Sequence, residues 1–213
     1  MGRIELYFDV ISPYSWIAFE ALTKLNEKWN IEIQLKPFYL GEVMKRSGSR
    51  PPALVKAKGI FMVADLDRSS KYWGIPLNPC PEFMRWMKTY TTEDAQKVLL
   101  TLQKNQPELL EAAAREFWLR LWSRGQKIFE KNDLLEVLKT IGARDIEGTL
   151  TESKSSEVAN LLEENISTAV DQGAFGAPWI VVHDDNGDEH YIFGSDRMHH
   201  IADILSLPLL SKI

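Results

Sequence analysis

Ser12-Pro13-Tyr14-Ser15 follows directly on the apolar run 4–11. This order reads as a strand running into a helix capped by a hydroxyl, with Pro13 at the first helical position. The first N–H groups of a helix have no partner within it, and its macrodipole is positive there, so such a turn attracts an anion. Cys-x-x-Cys at this place would be dithiol chemistry. Ser-x-x-Ser removes that chemistry and keeps a site able to stabilise a thiolate brought by another molecule. A free thiol has a pKa of about 8.5, and lowering it by about two units takes roughly 2.7 kcal/mol of preference for the thiolate. A charge-assisted hydrogen bond from Ser12, added to the helix terminus, is of that size. The hydroxyl also reads as a plain N-cap worth about 1 kcal/mol, and one proton cannot serve two acceptors at once.

Three further places carry candidate chemistry. Ala177-Pro178 lies between Gly173-Ala174-Phe175-Gly176 and an apolar strand. A cis bond there would turn the Ala177 N–H and C=O toward an extended peptide, whereas most X-Pro bonds entering a strand are trans. Ser195 and Asp196, in Gly194-Ser195-Asp196-Arg197, are able to meet a ligand's α-carboxylate and α-amino group, and equally to cap a helix. Lys58 follows the Gly/Pro-rich loop 47–52, where it would meet a carboxylate or stand as a solvated surface charge. His183, His190, His199 and His200 show no metal-ligand spacing with each other or with Cys80. The sequence has no phosphate-cradling glycine loop and no nucleophile elbow.

These residues must be held by a recognisable order of elements. Ile4, Leu6 and Phe8 alternate in a first strand, a helix follows over 13–29, and Ile31, Ile33 and Leu35 form a second strand, which makes a βαβ unit with a parallel pair. From 51 to about 173 the pattern is helical, with helices expected near 58–71, 81–88, 92–105, 107–124, 133–141 and 156–172. Thr92, Asp133 and Ser156 are the expected caps. Residues 179–183 and 191–193 form a hairpin around Asp185-Asn186-Gly187-Asp188, and a final helix is expected over 196–206 with Ser195 and Asp196 at its start. The fold class is therefore α/β: a thioredoxin-like fold, βαβ at one end and ββα at the other, with a large inserted all-helical domain. Residues 1–50 and 174–213 would form the thioredoxin-like domain and 51–173 the insert.

Composition bounds the partners. The chain has 213 residues, 45% of them apolar and 26% charged, an ordinary globular profile. A net charge of -5 argues against nucleic acid as a partner. No apolar run reaches the length of a membrane span. One cysteine, Cys80, excludes an internal disulfide and a cysteine-rich metal site. No signal or transit pattern is expected at the N-terminus, and the ending Ser211-Lys212-Ile213 is one residue from a peroxisomal Ser-Lys-Leu address.

Taken jointly and in order, Ser12-Pro-Tyr-Ser-Trp16, Ser47-Gly-Ser-Arg-Pro-Pro-Ala53, Lys58-Gly59, Arg120-Leu-Trp-Ser-Arg124, Gly173-Ala-Phe-Gly-Ala-Pro178 and Phe193-Gly-Ser-Asp-Arg197 resemble the kappa class of glutathione transferases along nearly the whole chain. That family has a DsbA-like layout and is related to the hydroxychromene-carboxylate isomerases. The resemblance implies that glutathione is a co-substrate, with no permanently bound cofactor or metal, and that a small electrophile is the second substrate. It implies that Ser12 stabilises the glutathione thiolate, with Pro13 and Tyr14 shaping the turn. Ala177, ahead of a cis Pro178, would pair with the cysteinyl residue. Ser195 and Asp196 would hold the γ-glutamyl end, and Lys58 the glycine carboxylate. The family often carries Asn where this chain has Ser49, so a Ser49 contact is the weakest of these. A detoxifying homodimer in the peroxisome is implied, with mitochondria or cytosol as the alternative compartments. Peroxidase activity toward lipid hydroperoxides, a glutathione-dependent isomerase and a non-catalytic thioredoxin-like binding protein stay open. The wall of the electrophile site is expected from the insert together with Trp16 or Phe61.

Overall fold

The computed structural model describes residues 2–78 and 80–208; the Ser211-Lys212-Ile213 ending lies outside the described residues. Strand β1 (Arg3–Phe8) leads into helix α1 (Pro13–Trp29), which returns to β2 (Glu32–Pro37). β1 and β2 pair in parallel, Ile4 opposite Ile33 and Leu6 opposite Leu35. β3 (Trp179–His183) pairs antiparallel with β1, and β4 (Glu189–Phe193) antiparallel with β3, giving the order β2-β1-β3-β4. This is the βαβ and ββα arrangement the sequence predicts.

The two-residue alternation of β1 sorts its side chains to two cores. Ile4, Leu6 and Phe8 join Ile180 and Val182 of β3 on one face, where α1 and the last helix, α10 (Met198–Ile204), pack. Tyr7, Trp179 and Val181 point to the other face, where α9 (Ser156–Asp171) lays Val158, Leu162 and Ile166. α9 thus lies on the sheet, although it belongs to the stretch expected as the insert.

The rest of the middle of the chain is helical: α2 (Leu40–Ser47), α3 (Lys56–Trp73), α4 (Phe83–Thr89), α5 (Glu93–Asn105), α6 (Leu110–Trp118), α7 (Lys131–Thr140) and α8 (Ile146–Glu152). Several expectations need correction. The single helix expected over 107–124 is a 3-10 turn at Pro107–Leu109, then α6, then a π-helical segment Leu119–Ser123. The cap of α9 is Ser155, which accepts from Val158 N–H, and not Ser156. Asp133 stands three residues inside α7 and closes a capping box with Glu130 at the cap. Thr92 stands at the cap position of α5 but makes no cap bond; its hydroxyl donates to Asp9 at 2.8 Å. Ser195 and Asp196 do not cap α10, which starts at Met198 behind Arg197. Among the described residues no helix is long and apolar enough to cross a membrane.

Candidate active site

The turn between β1 and α1 is shaped by Asp9. Its backbone carbonyl accepts from Ser12 N–H at 3.0 Å and its carboxylate accepts from Ile11 N–H at 2.9 Å, an Asx-type closure. Ser12 is therefore held in extended backbone, φ -87 and ψ 116, and its Oγ accepts from Ser15 N–H at 3.1 Å. The hydroxyl is the N-cap, with Pro13 beginning the helix behind it. Its proton goes to the Ala177 carbonyl at 3.4 Å, at the outer edge of a hydrogen bond. Ser15 is fully buried, and its Oγ has no partner among the described residues. Of the two serines, Ser12 faces the site.

Opposite this turn, the Ala177–Pro178 bond is cis. The Pro178 carbonyl accepts from Gly194 N–H at 3.2 Å, which ties the Ser195 turn to the same corner. Gly194 has φ +100, where a side chain would be strained. Ser195 is buried, and Asp196 is exposed and paired with Arg197 at 2.6 Å.

Two cavities meet at this corner. The larger, about 480 Å³, is lined by Tyr14, Ser49, Lys58, Ala177, Pro178, Ser195 and Asp196, so it gathers seven of the sequence-predicted residues. The smaller, about 270 Å³, is lined by the remaining two, Ser12 and Pro13, and by Met44, Met62, Phe83, Met87 and Tyr90. Tyr14, Met44, Pro52, Met62 and Ala177 belong to both.

Sequence reasoning missed several of these residues. Asp65 accepts from the Tyr14 hydroxyl at 2.7 Å and lines the larger cavity with Arg50. Burial, then the hydrogen bond to Asp65, pushes the Tyr14 hydroxyl well up, so it stays a proton donor throughout the neutral range. Lys58 is exposed and lies on the same face of α3 as Asp65, with no ion-pair partner among the described residues. The three methionines and Phe83 form the apolar wall. Trp16 does not: it is 1% exposed, stacks on Trp118, and donates to Glu20. Phe61 lines the larger cavity instead. Cations at Arg50 and Lys58 and carboxylates at Asp65 and Asp196 suit an extended zwitterion in the larger cavity, beside an apolar chamber entered past a helix-capping hydroxyl.

Residues 3–206 match the model of the DSBA-like thioredoxin domain family. The chain is 53% identical over 209 residues to glutathione S-transferase kappa 1 of Caenorhabditis elegans, covering 98% of this chain and 92% of that protein. It is 38% identical to glutathione S-transferase kappa 1 of Homo sapiens over 204 residues, covering 95% and 90%. Among solved structures, a 2-hydroxychromene-2-carboxylate isomerase superposes with a TM-score of 0.76 at 21% identity, over 94% of this chain and 93% of that one.

Proposed function

The chain belongs to the kappa class of glutathione S-transferases, within the DsbA-like thioredoxin-domain family, and from that membership we propose that it joins the thiol of glutathione to a small electrophile at the Ser12 turn. The observation that carries this reading is the Ser12 hydroxyl, which caps α1 where the charged cavity meets the apolar one.

Glutathione would lie extended in the larger cavity. Lys58 and Asp65 stand seven residues apart on α3, roughly 10.5 Å along the axis. An extended tripeptide spans about 10 Å. The glycine carboxylate then meets Lys58, and the α-amino group meets Asp65 and Asp196, with Ser195 receiving the α-carboxylate. The cysteinyl N–H pairs with the Ala177 carbonyl. That pairing displaces the weak bond from Ser12, whose proton turns to the sulfur. The hydroxyl and the helix terminus favour thiolate over thiol, and the thiol proton leaves to solvent. The sulfur attacks the electrophilic carbon in the smaller cavity, a C–S bond forms, and the leaving group departs with its bonding electrons. Pro13 and Tyr14 hold the turn, and Ser49 is at most an auxiliary contact.

A homodimer is part of the proposal. It is supported by exposed apolar side chains of α3, Ile60 at 66% and Val63 at 65%. A sedimenting mass of one 24.4 kDa chain instead of two would sink it.

The test is an ultraviolet titration of glutathione with wild type and Ser12→Ala, joined to product analysis. A thiolate band below the pKa of the free thiol, lost in the variant, together with a stoichiometric thioether, supports the reading. Glutathione recovered unchanged after turnover would turn it toward isomerisation, and binding without a thiolate band toward a non-catalytic role.

A further inference from the structure

Three helix N-termini converge on the smaller cavity: α1 behind Ser12, α2 behind Tyr39 and α5 behind Thr92. Each end is electropositive and would draw an anion. One of them is met directly by a carboxylate of the protein, and a second through side chains at its start. Asp9 has no exposed surface. Its Oδ2 accepts from Leu40 N–H, the first residue of α2, at 2.9 Å and from the Thr92 hydroxyl at 2.8 Å. Its Oδ1 accepts from Ile11 N–H at 2.9 Å and from Gln96 Nε2, in the first turn of α5, at 2.8 Å. Gln96 turns its amide N–H to Asp9 and leaves its own buried oxygen without a partner among the described residues.

Burial pushes the Asp9 carboxyl up and the four donors oppose it. All four contacts donate to Asp9 as it stands, two of them backbone N–H groups, and that is the pattern that holds a carboxylate. Its charge, after burial, also pushes the Tyr39 hydroxyl up. Asp9 thus takes the first N–H of α2 and the side chains of Thr92 and Gln96 at the start of α5, and takes no N–H of α1. The described residues lining the smaller cavity include no Lys, Arg or His.

We propose that Asp9 is a specificity-determining residue: its buried negative charge, behind a cavity wall that holds no cation, makes the chamber accept neutral electrophiles and turn away those that carry a carboxylate. The proposal rests on the conjugating reading above. An anionic acceptor would give up its hydration, find no counter-charge, and face a like charge through a low-dielectric wall. A neutral aromatic acceptor would meet Met44, Met62, Met87 and Phe83, which suit a polarisable ring. Asp9 touches no reacting atom and acts through the field and the wall.

The test compares a chlorodinitrobenzoate with the matching chlorodinitrobenzamide, each kcat/KM divided by its uncatalysed rate with glutathione. Wild type is expected to prefer the amide by about tenfold or more, and Asp9→Asn to reduce that preference at least about threefold. Equal use by wild type overturns the proposal, and an unchanged preference in Asp9→Asn overturns the assignment to Asp9. Should that variant fail to fold, Met87→Lys adds a cation to the wall without touching Asp9. It is expected to raise use of the benzoate relative to the amide, and no change in that ratio counts against the proposal. If glutathione binds and neither acceptor is conjugated, the conjugating reading fails. The two chemically made thioethers are then compared for binding to wild type: tighter binding of the neutral one supports the proposal, and equal binding overturns it.

Discussion

The Ser12 hydroxyl makes two bonds of unequal quality, accepting from Ser15 N–H at 3.1 Å and donating to the Ala177 carbonyl at 3.4 Å. The first belongs to folding and the second is weak enough to exchange, so removing the oxygen has two separable effects. Ser12→Ala is expected to lose about 1 kcal/mol of stability through the cap, a fall in Tm of roughly 2–4 °C. It should also lose about 10- to 100-fold in kcat/KM, the worth of one hydrogen bond to a charged sulfur. A variant that loses stability alone would mean that the hydroxyl is a cap and nothing more. Tyr14→Phe is the contrast. Its hydroxyl serves Asp65, away from the sulfur, so the loss should fall on the KM for glutathione with kcat little changed. Steady-state kinetics on the two variants separates these patterns.

At the scale of elements, α2 carries Met44 into both cavities and leads into the Ser49 loop; Val43 packs it into the apolar cluster of α9, and Arg46 adds a polar mooring. Arg46 reaches Glu163 with both terminal nitrogens, at 2.7 and 2.8 Å, and Glu42 within its own helix at 3.1 Å. These bonds hold both glutamates below the ordinary value of 4.5. A carboxylate depressed in the folded state contributes stability above its unfolded value and loses it as pH falls through the folded one. Arg46→Ala should therefore flatten the acid limb of the stability curve below 4.5, with a small effect at neutral pH because the pair is exposed, and raise the KM for glutathione. An acid limb identical to wild type would refute the mooring. The legibility of these elements varied for physical reasons. α1 was readable to the residue because proline and a capping hydroxyl mark its start locally. α2 was missed because it is eight residues long with Gly41 in its first turn, so its apolar Leu40, Val43 and Met44 span too short a window for a period to stand out. α8 was missed because it is seven residues long and begins at Asp145 in left-handed backbone, which reads as loop. A π-turn leaves no periodic trace over five residues. Asp65 and Asp9 carried no motif. The role of Asp65 appears when α3 lies beside α1, and the one hint of Asp9 was an acid in the apolar run 4–11.

Across the whole molecule, the sheet and most of the helices share one core: Phe8 and Phe19 pack on Trp118, which stacks with Trp16, and the same cluster runs on through Leu99, Phe117 and Val137. The helical middle has no separate apolar interior to unfold around. Calorimetry should show one cooperative transition, and two resolved transitions would contradict the shared core. Glutathione at about a hundred times its Kd should raise that single transition by roughly 5–10 °C, from about 2.7 kcal/mol of linkage. The wall common to both cavities carries a further consequence, for the timing of the cycle. A finished thioether would occupy both chambers at once, held at its peptide end by charges and at its other end by methionines and Phe83. It would bind more tightly than either reactant, leave last and leave slowly, so it should inhibit competitively against glutathione, and turnover with fast acceptors should slow as the solvent is made more viscous.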